Sequence, residues 1–355
     1  MSRLHRAAPI LALLTLVATW GRDISVPVAL LVAVVLVAAV LTAVHHAEVV
    51  AHRVGEPFGS LLLAVAVTVI EVALIITLMT SGSAETATLA RDTVFAAAMI
   101  TVNGIVGLAL MIGARKRDLA EFNAEGTGAM LACVATVATL CLILPTFTES
   151  EPGPEFTPAQ LAFAAIASLT LYLLFVLTQT VRHRDFFLPV EQDSSPDEHA
   201  EPPTTRTALA SLGFLVVSLV AVVGLAKVES APIEDAVRAL GLPATFVGVL
   251  IALLVLAPES IAAARAAARG RVQVGLNLGY GSAMASIGLT IPTLAVATLW
   301  LDGPLHLGLG SLQIVLLVIS VLVGILTVVP GRATRLTASV HLALFAAYLF
   351  LSVSP

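Results

Sequence analysis

Eleven apolar runs, separated by breaks rich in charge, proline or glycine, constrain this chain more than any other feature. They are Ala7–Trp20, Val26–Val44, Phe58–Met79, Asp92–Ile112, Gly126–Phe147, Pro158–Val181, Thr207–Ala226, Pro243–Ala264, Val272–Leu301, Leu309–Val329 and Thr334–Ser352. A helix rising about 1.5 Å per residue crosses a hydrocarbon layer of about 30 Å in roughly twenty residues, and most of the runs approach that length. The 355 residues are 58% hydrophobic and 12% charged. A soluble domain carries about 25% charged residues, so this chain cannot hide its apolar surface from water by folding on itself. Lipid forces each backbone polar group to bond internally, which selects helices. The expected fold class is an all-α polytopic membrane protein with eleven transmembrane helices, its partner the lipid bilayer.

The distribution of basic residues tests that map, because Lys and Arg concentrate in cytoplasmic breaks. With the N-terminus inside, the inner segments hold Arg3, Arg6, Arg53, Arg115, Lys116, Arg117, Arg182, Arg184, Arg206, Arg265, Arg269, Arg271, Arg332 and Arg335. The outer segments hold only Arg22, Arg91, Lys227 and Arg238. A wrong helix count would scramble this alternation, so the C-terminus is expected outside. The start of the chain resembles a signal peptide but lacks a small-x-small cleavage site, and is read as a retained first helix. Residues 185–206 are acidic, proline-rich and, up to Thr205, free of Lys and Arg. They read as a solvated cytoplasmic linker.

Two runs carry one carboxylate each. Phe58–Met79 holds Glu71, and Pro243–Ala264 holds Glu259. An acidic side chain at that depth costs roughly 2.5–3.5 kcal/mol on insertion scales, and such residues usually serve a function. The linker explains their spacing. With the first helix (1–22) set aside, helices 2–6 (residues 23–184) correspond to helices 7–11 (residues 207–355). Each carboxylate then sits in the second helix of its half. VTVIEVALI loosely matches VLAPESIAA, and AAAMITVNG matches YGSAMASIG. Five is odd, so the halves insert with opposite topology, an arrangement that places a transport site at the repeat interface. Burial disfavours a bare carboxylate, and a proton or a cation can each relieve it. Protons and cations therefore compete for the same oxygens. A hard cation wants six to eight oxygens, more than two carboxylates supply.

Other residues could complete that shell: Thr68, one turn before Glu71; Asn103 in the fourth run; Ser282 and Ser286 in the ninth. Pro258, directly before Glu259, removes a backbone donor and is expected to break its helix; Pro292 is expected to kink or break the ninth. His45, His46, Glu48 and His52 form a polar cluster at the inner end of the second run, without the H-E-x-x-H spacing of a zinc hydrolase. His341 is read as a packing histidine. Cys133 and Cys141 lie in one apolar run, which excludes a disulfide framework. No phosphate-binding loop, dinucleotide fingerprint or serine-hydrolase elbow is present, so neither enzymatic activity nor a cofactor is expected, and no nucleic-acid partner.

These residues carry a family resemblance. GEPFGSLLLAVAVTVIEVALIITLM, LARDTVFAAAMITVNGIVGL and LLVLAPESIAAARAAARG, with the one-plus-five-plus-five layout, resemble the calcium/proton exchangers of the cation/calcium antiporter superfamily, in particular the bacterial Cha-type branch. The resemblance implies exchange of Ca²⁺, Na⁺ or K⁺ for H⁺ across a bacterial inner membrane, with Glu71 and Glu259 binding cation and proton in turn. The wider family has Gly-Asn shortly before each glutamate, where this chain has Val67-Thr68 and Val255-Leu256. Ala285 stands in place of a family glutamine. These departures remove amide ligands and make monovalent cations plausible cargo beside Ca²⁺. The alternative readings are an intramembrane metal-dependent hydrolase built on Glu48 and its histidines, and a passive cation channel.

Overall fold

The computed structural model describes residues 3–54, 58–79, 87–189, 203–300 and 303–354. Among them are eleven helices: α1 (Arg3–Thr19), α2 (Val26–Val54) and α3 (Phe58–Met79), then α4 to α6, each carrying a π turn. α4 runs as Leu89–Met99, a π turn at Ile100–Ile105 and Val106–Arg117. α5 runs as Ala124–Ala138, a π turn at Thr139–Ile143 and a 3-10 turn at Leu144–Thr146. α6 runs as Pro158–Leu177 with a π turn at Thr178–Arg182. The second half contains α7 (Thr205–Ala239), α8 (Phe246–Ala268), α9 (Val272–Ala297), α10 (Ser311–Val328) and α11 (Arg335–Val353). Nine of these are long and apolar enough to cross a membrane among the described residues, while α1 and α3 contribute shorter described apolar stretches, Arg6–Thr19 and Val65–Thr77. The chain is an all-α polytopic membrane protein. Most of the acidic linker, residues 190–202, lies outside the described residues.

Local chemistry sets the helix starts. Thr157 and Gln160 form a reciprocal capping box ahead of Pro158, whose missing N–H costs nothing at the first helical position. Asn123, Thr204 and Thr334 cap α5, α7 and α11 through side-chain oxygens. Two helices outrun their apolar runs: α2 continues to Val54, and α7 extends to 35 residues. Hydropathy marks only the lipid-crossing part, whereas backbone hydrogen bonding continues into the interface. The helix breaks expected at two prolines need correction. Pro292 does not interrupt α9, and Pro258 does not break α8. A proline removes one donor and crowds the carbonyl four residues back, Leu254 for Pro258; membrane helices absorb this through local adjustment and neighbouring groups.

The buried side chains form two large clusters. One joins α1, α2, α3, α7 and one face of α8. The other joins α4, α5, α6, α9, α10, α11 and the other face of α8. α2 and α7, the first helices of the two halves, make the most extensive pairing among the described residues. The packing repeats across the halves: α3 lies on α9 as α8 lies on α4, and α6 on α9 as α11 on α4. α4 is the central element, with 83% of its apolar window buried against 17% for α11. Glycines allow the close crossings. A Cβ on Gly275 would meet Ala109 Cβ at 2.8 Å, and one on Gly279 would meet Val106 Cγ2 at 3.0 Å, so α9 approaches α4 almost backbone to backbone. A two-residue antiparallel bridge, Ala120–Glu121 with Arg332–Ala333, ties the α4–α5 turn to the α10–α11 turn. It is too short to leave a periodic signature in the sequence.

Candidate functional site

α3 and α8 present Glu71 and Glu259 to one cavity of about 330 Å³. Both carboxyls are buried, at 4% and 6% relative exposure. They belong to opposite halves and meet because α3, α8 and α9 pack against one another where the two clusters adjoin. Ser286 of α9 donates from Oγ to Glu71 Oε1 at 2.6 Å, a bond between halves. Glu259 Oε2 is buried and has no hydrogen-bond partner among the described residues. Two neighbouring carboxyls in a low-dielectric pocket cannot both stay bare; a shared proton or a bound cation removes the repulsion.

Thr68, Ser282 and Ser286 line the same cavity as the glutamates. Asn103 does not. It lies fully buried in the π turn of α4, where its amide donates to Ser320 Oγ at 2.8 Å and its oxygen meets His341 Nδ1 at 3.2 Å. An amide oxygen only accepts, so Nδ1 carries the proton, and Nε2 meets Thr327 Oγ1 at 3.0 Å. Asn103 and His341 thus join α4, α10 and α11 away from the carboxylates, a pairing that spacing along the chain could not reveal. Pro258 is not among the cavity residues either.

Several polar cavity residues escaped the sequence reading. The π turn of α6 brings Gln179 and Thr180 to the cavity, with Arg184 just beyond, and α9 adds Asn277. Asn277 is held: its amide donates to the Phe187 carbonyl at 2.7 Å, and its oxygen accepts from Gln273 at 2.9 Å. Gln179 is partly exposed and offers an amide oxygen where the sequence had suggested none. Its signal was faint, a glutamine near the end of an apolar run flanked by threonines. The carboxylates, hydroxyls and amide oxygens of the cavity make a set of hard oxygen donors suited to hard cations. The inner histidine cluster is arranged differently. His45 Nδ1 lies 4.0 Å from Glu48 Oε2, and His46 stacks on Phe214 at a centroid distance of 5.2 Å. Among the described residues no group of three or more His, Cys, Asp or Glu could hold a metal ion.

Comparison with known proteins agrees with this architecture. The chain is 45% identical over 331 residues to a Sinorhizobium fredii protein named as an ionic transporter, covering 93% of this chain and 90% of that one. It is 34% identical over 347 residues to the sodium-potassium/proton antiporter ChaA of Escherichia coli, covering 96% and 93%. Its fold matches the crystal structure of the H⁺/Ca²⁺ exchanger CAX with a TM-score of 0.72 over 98% of this chain and 86% of that one, at 16% identity. The model of the sodium/calcium exchanger protein family matches residues 24–181 and 210–354. The chain belongs to the sodium/calcium exchanger protein family.

Proposed function

We propose that this protein is a secondary active antiporter that exports Ca²⁺, Na⁺ or K⁺ from a bacterial cytoplasm in exchange for H⁺. One observation carries the reading: two buried carboxyls from opposite halves share a single oxygen-lined cavity. Glu71 and Glu259 hold cation and proton in turn. When the cation leaves, burial favours the protonated acids, and when protons leave, the cation supplies the missing positive charge. Ser286, Ser282, Thr68 and Gln179 fill out the oxygen shell. The family membership and the antiporter name of the Escherichia coli relative support proton coupling. That relative's two monovalent cations also fit the departures at Val67-Thr68, Val255-Leu256 and Ala285.

The halves, residues 23–184 and 207–355, work as inverted repeats, in keeping with the two-segment family match. Helices α3, α4, α8 and α9 form the core, and α2 with α7 moves against it to alternate access. The cavity runs from the glutamates to Arg184 and Leu188, at the end of α6 where basic residues gather. With those residues cytoplasmic, the conformation is open to the inside.

The test uses everted membrane vesicles energised to acidify their lumen. Adding Ca²⁺, Na⁺ or K⁺ should alkalinise the lumen, and Glu71→Gln and Glu259→Gln should each abolish the response. Normal exchange in both variants would refute the site.

A further inference from the structure

α7 carries a third acid that the proposed exchange cycle leaves unused. Glu229 is 2% exposed, and its Oε1 has no hydrogen-bond partner among the described residues. Membrane proteins seldom leave a carboxyl sealed and unbonded without a use. The contrast with Asp92, buried to a similar degree at the start of α4, is informative. Asp92 Oδ1 is held by Arg91 at 2.8 Å and by Gln313 at 3.2 Å, a structural staple. Glu229 has no such partner, and Lys227 two residues away is exposed.

Its place in the fold gives the direction. Thr205, at the inner end of α7, accepts a hydrogen bond from Arg53 of α2. Glu229 lies 24 residues further, about 36 Å along the helix. Its neighbours Val228 and Ile233 pack in the same cluster as Met79, which lies about 12 Å along α3 beyond Glu71. Glu229 is therefore on the side of the glutamate pair opposite the cavity mouth at Arg184, and it is not among the cavity residues. The counterpart helix α2 carries Glu48 near its other end, half-exposed on the open side. Among the described residues, the titratable groups on elements packed against α7 are Arg6 at the inner end of α1, Arg22 and Asp23 in the exposed turn after α1, the His45–Arg53 segment of α2, Glu71, Glu259 and Arg265, and no hydrogen bond or ion pair joins any of them to Glu229.

We propose that Glu229 is the outer proton-loading group: sealed while the cavity opens inward, and uncovered when α7 moves against the core, it takes a proton from the external solution and passes it to the Glu71–Glu259 pair. A carboxyl whose buried oxygen meets no hydrogen-bond partner among the described residues suits a proton rather than a hard cation, which needs six to eight ligands. The inference rests on the antiport reading. It is tested in right-side-out membrane vesicles loaded with Na⁺ or Ca²⁺, by following cation efflux as external pH is varied. Wild-type efflux should rise with external acidity. Glu229→Gln should need about ten-fold more external protons for the same rate, with the internal cation half-saturation unchanged. Glu229→Asp, which keeps the carboxyl, should follow the wild-type profile. A wild-type profile in Glu229→Gln, or equal losses in the Gln and Asp variants, overturns the proposal while leaving the antiport reading intact. Absence of proton-driven efflux in the wild type overturns both.

Discussion

The 2.6 Å bond from Ser286 to Glu71 is the shortest route by which one half of the chain addresses the acid of the other. A hydrogen bond to an ionised group is worth about 1.5–3 kcal/mol. Ser286→Ala removes the donor without disturbing the packing around it. The expected result is a rise of about ten-fold in cation half-saturation in the everted-vesicle assay. Ser286→Thr, which keeps a hydroxyl, should stay near wild type. An unchanged half-saturation in the alanine variant would mean that this hydroxyl takes no part in binding. The sequence pointed to Ser286 only as one of two serines in a region similar to that around Asn103. Which of them would reach a carboxylate depended on the rotation of α9, and that rotation is set by Gly275 and Gly279 seating the helix on α4.

At the scale of elements, the π turns matter more than the prolines that seemed to announce irregularity. The turn at Ile100–Ile105 swings Asn103 toward Ser320 of α10 and His341 of α11. Asn103→Leu would take one bond from each partner and strand the His341 Nδ1 donor in an apolar surround, at a cost of about 1–3 kcal/mol, while Ser320 keeps its bond to the Leu316 carbonyl and His341 its contact with Thr327. The protein should unfold at a lower temperature in detergent, while the cation half-saturation of the surviving transporter stays that of the wild type. The reverse pattern, normal thermal stability with altered half-saturation, would return Asn103 to the ion path. Nothing in ITVNGIVGL distinguishes a π turn from regular helix, because one extra residue per turn leaves hydropathy untouched. Pro258 and Pro292 show the complementary failure. Each is a strong breaker signal in water, yet each lies within a continuous helix here.

For the whole molecule, the arrangement of charge predicts sidedness. On a background without Cys133 and Cys141, Glu151→Cys in the α5–α6 turn should react with a membrane-impermeant thiol reagent on intact cells. Arg269→Cys, between α8 and α9, should react only after the membrane is opened. Both positions are exposed, so access to the reagent is decided by the bilayer. Labelling of both in intact cells would overturn the orientation and, with it, the inward-open assignment of the cavity. Trp20 and Trp300 are 60% and 65% exposed at the ends of α1 and α9 that this orientation places outside, where aromatic side chains favour the interface.

Hydropathy, charge alternation and two misplaced carboxylates were enough to establish a membrane protein of eleven helices, its inverted halves and the two acids worth testing. These are properties of single segments in contact with lipid or water, and a segment's partition between the two depends on its own composition. The tertiary structure alone decided which polar residues share a space. It brought Gln179 and Thr180 to the cavity, drew Asn103 away to His341 and left Glu229 Oε1 without a hydrogen-bond partner among the described residues. Those outcomes depend on helix rotation, π turns and the close glycine crossings of α4 and α9, all set by packing between segments far apart in the chain.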